Sequence, residues 1–268
     1  MQLSPEQFLA LHPVFSRSDL AHVLKIRNKR ASVNTINAHL YRWTQQGRIK
    51  QVKRGVYVHL IEGEKQLSVD KFALCSRLAP DSLLSHHTAL ELHGVAQSAF
   101  RKVTYLTLSS TKELIFENML FQPVRPRPAV TTKQFQSRWT ESAERQNIEI
   151  RYTSIERTLV DVLDRPELAG GVDEVWRSCA SIAGLRFDYL EQYLKILGRP
   201  TVAARVGFFL EQRKKALAVP EPLLIRLQKL APKSKVYFLR REKRRGRFFP
   251  RWNLIVPESL IENDWEGL

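Results

Sequence analysis

Cysteine is scarce in this chain: Cys75 and Cys179 are the only two among 268 residues. Two thiols are too few for a disulfide scaffold or a four-thiolate zinc site. No stretch approaches the ~18 consecutive apolar residues that a spanning helix needs, so no membrane partner is expected. Met1 to Pro13 has no basic flank before Arg17 and no small-residue cleavage pattern, which argues against a signal peptide. A P-loop, a GxGxxG ahead of a helix and a GxSxG elbow are all missing, and no cofactor is expected. There is no repeat of solenoid length and no low-complexity tract. The expectation is a reduced, cytoplasmic, globular protein, with 43% apolar residues supplying a sizeable core.

Acidic residues are also scarce, but only locally. Residues 1–60 hold two acids against ten Lys and Arg, and residues 199–251 hold three against sixteen. Between them, residues 61–198 are nearly neutral, with 18 acids and 17 bases. The formal net charge of +16 thus sits in two blocks, which points to a polyanionic partner and says little about fold. The polar stretch Glu62-Gly63-Glu64-Lys65-Gln66 marks a boundary, and composition shifts again near Gly198-Arg199-Pro200. The expected domains are 1–62 and 67–268, with a subdivision near 198 left open.

The first sixty residues carry a clear pattern. Ser4, Pro5 and Gln7 read as N-cap, N1 proline and capping-box partner of a short helix with Phe8, Leu9 and Leu11 toward a core. Val14-Phe15 is a brief extended piece, and Ser16 caps a second helix with Leu20, Val23, Leu24 and Ile26 apolar. Ser32 caps a third, Val33 to about Gln46, in which Val33, Ile36, Leu40 and Trp43 fall within roughly 80° of one another. Gly47 ends it in a left-handed cap. Arg48–Lys53 and Val56–Leu60 read as two short strands joined at Arg54-Gly55.

Three helices followed by a two-stranded wing are expected to form a winged helix-turn-helix. Asn34, Thr35, Ala38, Tyr41, Arg42 and Gln45 point outward from the third helix, as a groove-reading face requires. Asn34 suits a bidentate contact to adenine and Arg42 one to guanine or a phosphate. Arg27, Lys29 and Arg30 in the turn, Ser32 at the helix start, and Lys53 and Arg54 at the wing tip complete the candidate DNA-binding set. Charge runs more often merely solvate a face; here a polar helix face, a basic turn and a basic wing coincide.

From Ser68 onward the pattern is a larger α+β domain with a small mixed sheet. Helices are expected over 69–79, from a Ser85 cap to Gly94, from Ser154 through Leu163, and near 172–183, 187–197, 201–217 and 221–230. Strands are expected at 103–108, 120–124 and 148–152, with Val236–Leu239 and Trp252–Val256 as a hairpin. Catalytic constellations are weak throughout. His86, His87 and His93 lack further ligands and read as helix-surface or core residues, so no metal is expected. Asp161 and Asp164 are interleaved with Arg157, Arg165 and Arg177, for which salt bridges are the simpler account. Cys179 lies in an apolar run and reads as core packing.

The second basic block runs from Arg240 to Arg251. Arg240, Arg241, Lys243, Arg244, Arg245 and Arg247 are candidates for a second nucleic-acid contact. A solvated hairpin tip and a site for an acidic protein are the other readings. Phe248, Phe249 and Trp252 suit base stacking, although aromatics at a strand start more often pack in a core.

Several of these stretches together resemble the AbiEi-type antitoxins of abortive-infection and type IV toxin–antitoxin operons. They are Lys53-Arg-Gly-Val-Tyr57, Leu84-Ser-His-His-Thr-Ala-Leu-Glu-Leu-His-Gly94, Glu156-Arg-Thr-Leu-Val-Asp161, Asp164-Arg-Pro-Glu-Leu-Ala-Gly-Gly171 and Arg251-Trp-Asn-Leu-Ile-Val-Pro257. The resemblance runs nearly end to end and in the same order. It implies a winged helix that binds promoter inverted repeats in double-stranded DNA and represses its own operon, with two copies on the operator. It also implies a C-terminal domain, containing Arg157, Asp161 and Asp164, that counteracts an AbiEii-like nucleotidyltransferase toxin in phage defence. On this reading the protein is not an enzyme. Two alternatives stand beside it. One is a metal-dependent nuclease using Asp81, Glu149 or the Asp161/Asp164 pair, although the lysine of the usual acid-x-lysine pattern is replaced by Arg151. The other is an effector-responsive transcription factor.

Overall fold

A computed structural model describes residues 3–27, 32–60, 69–131, 137–239 and 246–261. The chain is α+β and divides into two compact units. The first comprises Met1–Leu84, Arg101–Val124 and Ser142–Arg151; the second comprises Ser85–Phe100, Arg125–Glu141 and Tyr152–Leu268.

The first unit begins with helix α1 (Pro5–Leu11), strand β1 (Val14–Ser16), helices α2 (Arg17–Arg27) and α3 (Val33–Gln45), then strands β2 (Ile49–Lys53) and β3 (Val56–His59). Local chemistry sets these boundaries. The Ser4–Gln7 capping box opens α1 with both reciprocal bonds present. Ser16 and Asp19 exchange the same kind of bonds at the start of α2, where the Ser16 amide donates to Asp19 Oδ2 at 2.7 Å and the Asp19 amide to Ser16 Oγ at 3.2 Å. Gly47, at φ 66°, ends the last turn after α3.

The core of this part joins Phe8, Leu9, Phe15, Leu20, Leu24, Ile36, Leu40, Trp43 and Ile49. Phe15 sits edge-on to Phe8 at 5.2 Å and to Trp43 at 6.5 Å. Burying each such ring contributes about 2–3 kcal/mol. Two expected core residues are instead exposed: Val33 at 62% and Leu11 at 43%. Val33 occupies the first helical position, at the edge of the Ile36–Leu40–Trp43 stripe, and Leu11 occupies the last turn of a seven-residue helix. Helix ends overhang the core that their middles cover.

The brief extended piece at Val14-Phe15 is a sheet strand. β1 pairs antiparallel with β3, Phe15 opposite Tyr57, giving the order β1-β3-β2. Composition cannot reveal a three-residue strand whose partner lies forty residues away.

The next elements are α4 (Lys71–Arg77), β4 (Leu83–Leu84), α5 (His87–Leu92), β5 (Lys102–Leu106), β6 (Leu114–Phe116), β7 (Met119–Val124), β8 (Thr140–Arg145) and β9 (Ile148–Thr153). A six-stranded mixed sheet takes the order β6-β7-β5-β4-β9-β8. β5 and β7 run parallel, while β6 and β7 form a hairpin whose two-residue turn, Glu117-Asn118, has positive φ at both positions. Gln146-Asn147 turns the chain between β8 and β9 in the same way, at φ 50° and 60°.

The second unit is mainly helical: α5, then α6 (Ile155–Asp164), α7 (Val172–Ala180), α8 (Phe187–Leu197), α9 (Pro200–Gln212) and α10 (Glu221–Leu230), followed by β10 (Val236–Tyr237), β11 (Gly246–Phe249) and β12 (Leu254–Pro257). Its core centres on Trp176, which stacks on Phe208 at 5.6 Å and meets Phe209 and Phe238 edge-on.

Three expectations need correction here. Ser85 does not cap α5: His86 holds the cap position at φ 54°, and Ser85 Oγ is instead hydrogen-bonded to His86 Nδ1 at 2.9 Å. The helix expected over 201–217 stops at Gln212, and Ala218 at φ 50° and Pro220 redirect the chain before α10. The segments at 236–239 and 252–256 are not a hairpin. β10 and β12 run parallel, and the antiparallel partner of β12 is β11, which lies inside the basic block itself. No described helix is long and apolar enough to cross a membrane.

Candidate nucleic-acid interface

On α3, Ile36, Leu40 and Trp43 are buried at 4%, 6% and 1% exposure, so the opposite face is solvent-facing. Asn34, Thr35, Ala38, Tyr41, Arg42 and Gln45 are all exposed there, and Tyr41 is 69% exposed. Ser32 is committed to the helix: its Oγ accepts from the Thr35 amide at 3.2 Å and lies 3.2 Å from the Thr35 hydroxyl. Among the described residues, the polar side chains of this face that make no hydrogen bond or ion pair are Asn34, Tyr41, Arg42 and Gln45. His39, half-buried and 5.4 Å from the Trp43 ring, has its pKa lowered by burial, with Arg42 adding to the effect.

In the turn between β2 and β3, Gly55 adopts φ 82°, and its carbonyl accepts from the Arg17 amide at 2.8 Å. That bond ties the β2–β3 turn to the start of α2. Arg54 is exposed at the turn. Lys53 is placed differently: its ammonium donates to the Leu78 carbonyl, and burial lowers its pKa. Lys50 and Arg48 are also engaged, with Glu117 at 2.8 Å and Glu6 at 2.5 Å. Arg27 ends α2; its side chain lies outside the described residues, as do Lys29 and Arg30.

The structure adds residues that sequence reasoning missed. Arg17, Ser18, Ala21 and Lys25 of α2 line an open depression of about 780 Å³ with Ser32, Val33, Ile36 and Gly55. Arg17 and Lys25 are exposed. Among the described residues neither they nor Arg42 and Arg54 make an ion pair. The signal was available: Arg17, Ala21 and Lys25 recur at helical spacing on one side of α2.

In the C-terminal block, Arg240, Arg241, Lys243, Arg244 and Arg245 lie outside the described residues. Arg247 is exposed, with its guanidinium 5.8 Å from the Phe249 ring. Arg251 is spent internally on Glu211 at 2.8 Å and Glu221 at 2.5 Å. The three aromatics divide. Trp252 is fully buried, donating from Nε1 to Glu211 Oε2 at 2.7 Å, and Phe249 packs on Phe208 at 4.6 Å. Phe248 is only half-buried.

Three of the acidic candidates, Asp161, Asp164 and Asp81, are engaged in structural bonds. Asp161 is paired with Arg157 at 3.4 Å and accepts from the Tyr193 hydroxyl at 2.7 Å. Burial pushes its carboxyl up, against Arg157 and Tyr193, which hold it down. Asp164 lies between Arg127 at 2.6 Å and Arg199 at 2.9 Å, both distant in sequence. Salt bridges are therefore present, but Arg127 and Arg199 take the Asp164 partnership that Arg165 and Arg177 were expected to supply. Asp81 holds a loop, accepting from the Thr107 hydroxyl at 2.5 Å, the Leu108 amide at 2.6 Å and the Ser109 hydroxyl at 2.9 Å. Glu149 is exposed on β9.

The candidate histidines His87 and His93 are engaged within the fold. His87 lies between Glu91 at 3.2 Å and Glu174 at 3.3 Å and stacks on Phe100 at 3.9 Å; His93 donates from Nε2 to the Thr153 carbonyl at 2.8 Å. Among the described residues no three His, Cys, Asp or Glu side chains are grouped so as to hold a metal. Cys75 and Cys179 are fully buried, and burial pushes both thiols up.

No family model matches the chain, and no curated protein matches it. Among solved structures it is similar to the RV2827C protein from Mycobacterium tuberculosis, with a TM-score of 0.58 and 15% identity over 92% of this chain and 88% of that one. At that identity the likeness is one of α+β fold alone.

Proposed function

We propose that the chain is a cytoplasmic, non-enzymatic DNA-binding antitoxin that represses its own operon. In this reading the first sixty residues act as a winged helix-turn-helix, and α3 enters the roughly 12 Å major groove of double-stranded DNA. The observation that carries it is the alignment of uncommitted groups on one element and its neighbour. Asn34, Tyr41 and Arg42 face solvent on α3, Arg54 stands at the wing turn, and neither arginine has an ion-pair partner among the described residues. Asn34 reads adenine, Arg42 guanine or a phosphate, and Arg54 a phosphate. Two copies occupy the half-sites of a promoter inverted repeat. The role of the second unit, opposing an AbiEii-like nucleotidyltransferase toxin in phage defence, is supported by the resemblance in residues 84–94, 156–171 and 251–257.

An electrophoretic shift with the operon's promoter, run across a salt series, tests the DNA half. Affinity should fall linearly on a log–log plot, with the slope expected for about six or more phosphate contacts. Asn34→Ala and Arg42→Ala should relax sequence choice, whereas Arg54→Ala should weaken all sequences alike. Equal binding to promoter and random DNA overturns the reading. Rescue of toxin-expressing cells by the full chain tests the other half. Two features count against the nuclease alternative: Asp81 is fully engaged, and both Asp161 and Asp164 are paired with arginines. Plasmid should remain intact with Mg²⁺ or Mn²⁺ at high protein excess.

A further inference from the structure

The C-terminal sheet has a face that the proposed DNA contact does not use. Its strand order is β10-β12-β11, with Tyr237 opposite Ile255 and Ile255 opposite Phe248. Residues opposite one another in a ladder share a face, so these three side chains form one row across the sheet. The adjacent row, Val236–Leu254–Phe249, turns to the core: Leu254 is fully buried and Phe249 packs on Phe208. The outer row is open. Tyr237 is 41% exposed, and Ile255 and Phe248 are half-buried. With strands ~4.8 Å apart, the two rings stand about 10 Å from each other, with the short aliphatic Ile255 between them.

Cations border this row. Lys235 is exposed and places Nζ 4.6 Å from the centre of the Phe248 ring; Lys233, two residues earlier, is exposed as well. Neither makes an ion pair among the described residues, whereas Arg199, Arg226 and Arg251 of the same basic block are paired with Asp164, Glu191 and Glu211. Lys233 and Lys235 are therefore, among the described residues, cations without an ion-pair partner beside the exposed Tyr237 and the half-buried Phe248.

We infer that this sheet face binds single-stranded nucleic acid, with unpaired bases stacking on Tyr237 and Phe248 and phosphates meeting Lys235 and Lys233. Stacking on a ring needs a base whose face is free, so a duplex, whose bases are stacked on one another, cannot use this surface. An acidic peptide would satisfy the lysines but makes no use of two separated ring faces. The flexible four-carbon stem of Lys235 lets its ammonium move from the Phe248 ring to a phosphate as a base arrives. Recognition by ring faces and charge is indifferent to base sequence.

Fluorescence anisotropy of labelled twelve-residue oligo(dT) with the full chain tests this. An Arg42→Ala/Arg54→Ala background removes the proposed duplex-binding groups, so failure of the winged-helix reading leaves this measurement interpretable. Binding should persist in that background and fall steeply with salt. Phe248→Leu and Tyr237→Leu, which keep an apolar side chain but remove the ring, should each weaken it by about 5- to 100-fold. Lys235→Glu should weaken it further at low salt, while circular dichroism of all variants stays that of the parent. Unchanged affinity in both leucine variants, or equal competition by unlabelled duplex, overturns the proposal. Equal competition by polyglutamate also overturns it and assigns the face to an acidic protein.

Discussion

The Tyr193 hydroxyl donates to Asp161 Oδ1 at 2.7 Å, and the ring of the same tyrosine lies 5.5 Å from the guanidinium of Arg157, the ion-pair partner of Asp161. All three residues are essentially buried. A carboxylate held this way is a structural group. Tyr193→Phe should destabilise the protein by about 1–3 kcal/mol, because the acceptor loses its donor without access to water. Asp161→Asn, which strands the buried Arg157 charge, should cost about 3–5 kcal/mol. Urea unfolding checks both. Rescue of toxin-expressing cells should then follow the amount of folded protein, and a stable Asp161→Asn variant that fails to rescue would assign the carboxylate a direct role.

Gly207 on α9 lies against the six-membered ring of the Trp252 indole, too close for any side chain. Gly207→Ala would force the fully buried tryptophan from its place and from its bond to Glu211. The expected loss is about 1–3 kcal/mol, seen as a lower urea midpoint with altered near-ultraviolet dichroism from the displaced indole.

Glu156 is buried at the start of α6 and accepts from the Arg186 amide at 3.0 Å and its Nε at 2.9 Å. Burial raises its pKa, but the Arg186 bonds outweigh that and hold the carboxyl below the ordinary glutamate value. A depressed folded pKa contributes stability that is full above the unfolded value, about 4.3, and is lost as pH falls through the folded one. Glu156→Gln should therefore cost about 1–3 kcal/mol near neutrality, toward the low end because the Arg186 side chain is half-exposed. The difference from the parent should shrink below about pH 4 in urea titrations run at successive pH values.

Lys53 and Arg54 are neighbours with different surroundings. The Lys53 ammonium is held by the Leu78 carbonyl, while Arg54 is exposed at the turn. Arg54→Ala should reduce the salt slope of DNA binding by about 1 and leave stability within about 0.5 kcal/mol. Lys53→Met should lower stability by about 1–2 kcal/mol and change the slope less. Equal slope changes from the two variants would contradict this division.

The exposed face of α3 and the β2–β3 turn were legible because their signals are local. Caps at Ser4, Ser16 and Ser32, the Ile36–Leu40–Trp43 stripe and Gly47 each lie within a few residues of what they specify. The partners of charged groups were not legible. Asp164 meets Arg127 and Arg199 rather than its near neighbours, and Lys53 is spent on Leu78, because such pairings are made by chain segments that only folding brings together.

By itself the sequence determined most of the helices, the caps at Ser4, Ser16 and Ser32, the α+β class and the two blocks of positive charge, since periodicity and composition act over short range. Tertiary structure decided what those blocks present. It placed β10 parallel to β12 and drew β11 out of the basic run, which set Tyr237 and Phe248 on one open face and sent Phe249 and Trp252 to the core. The physical reason is register. Side chains alternate across a strand, so the strand that pairs with β12, and its alignment, determines which aromatic meets solvent.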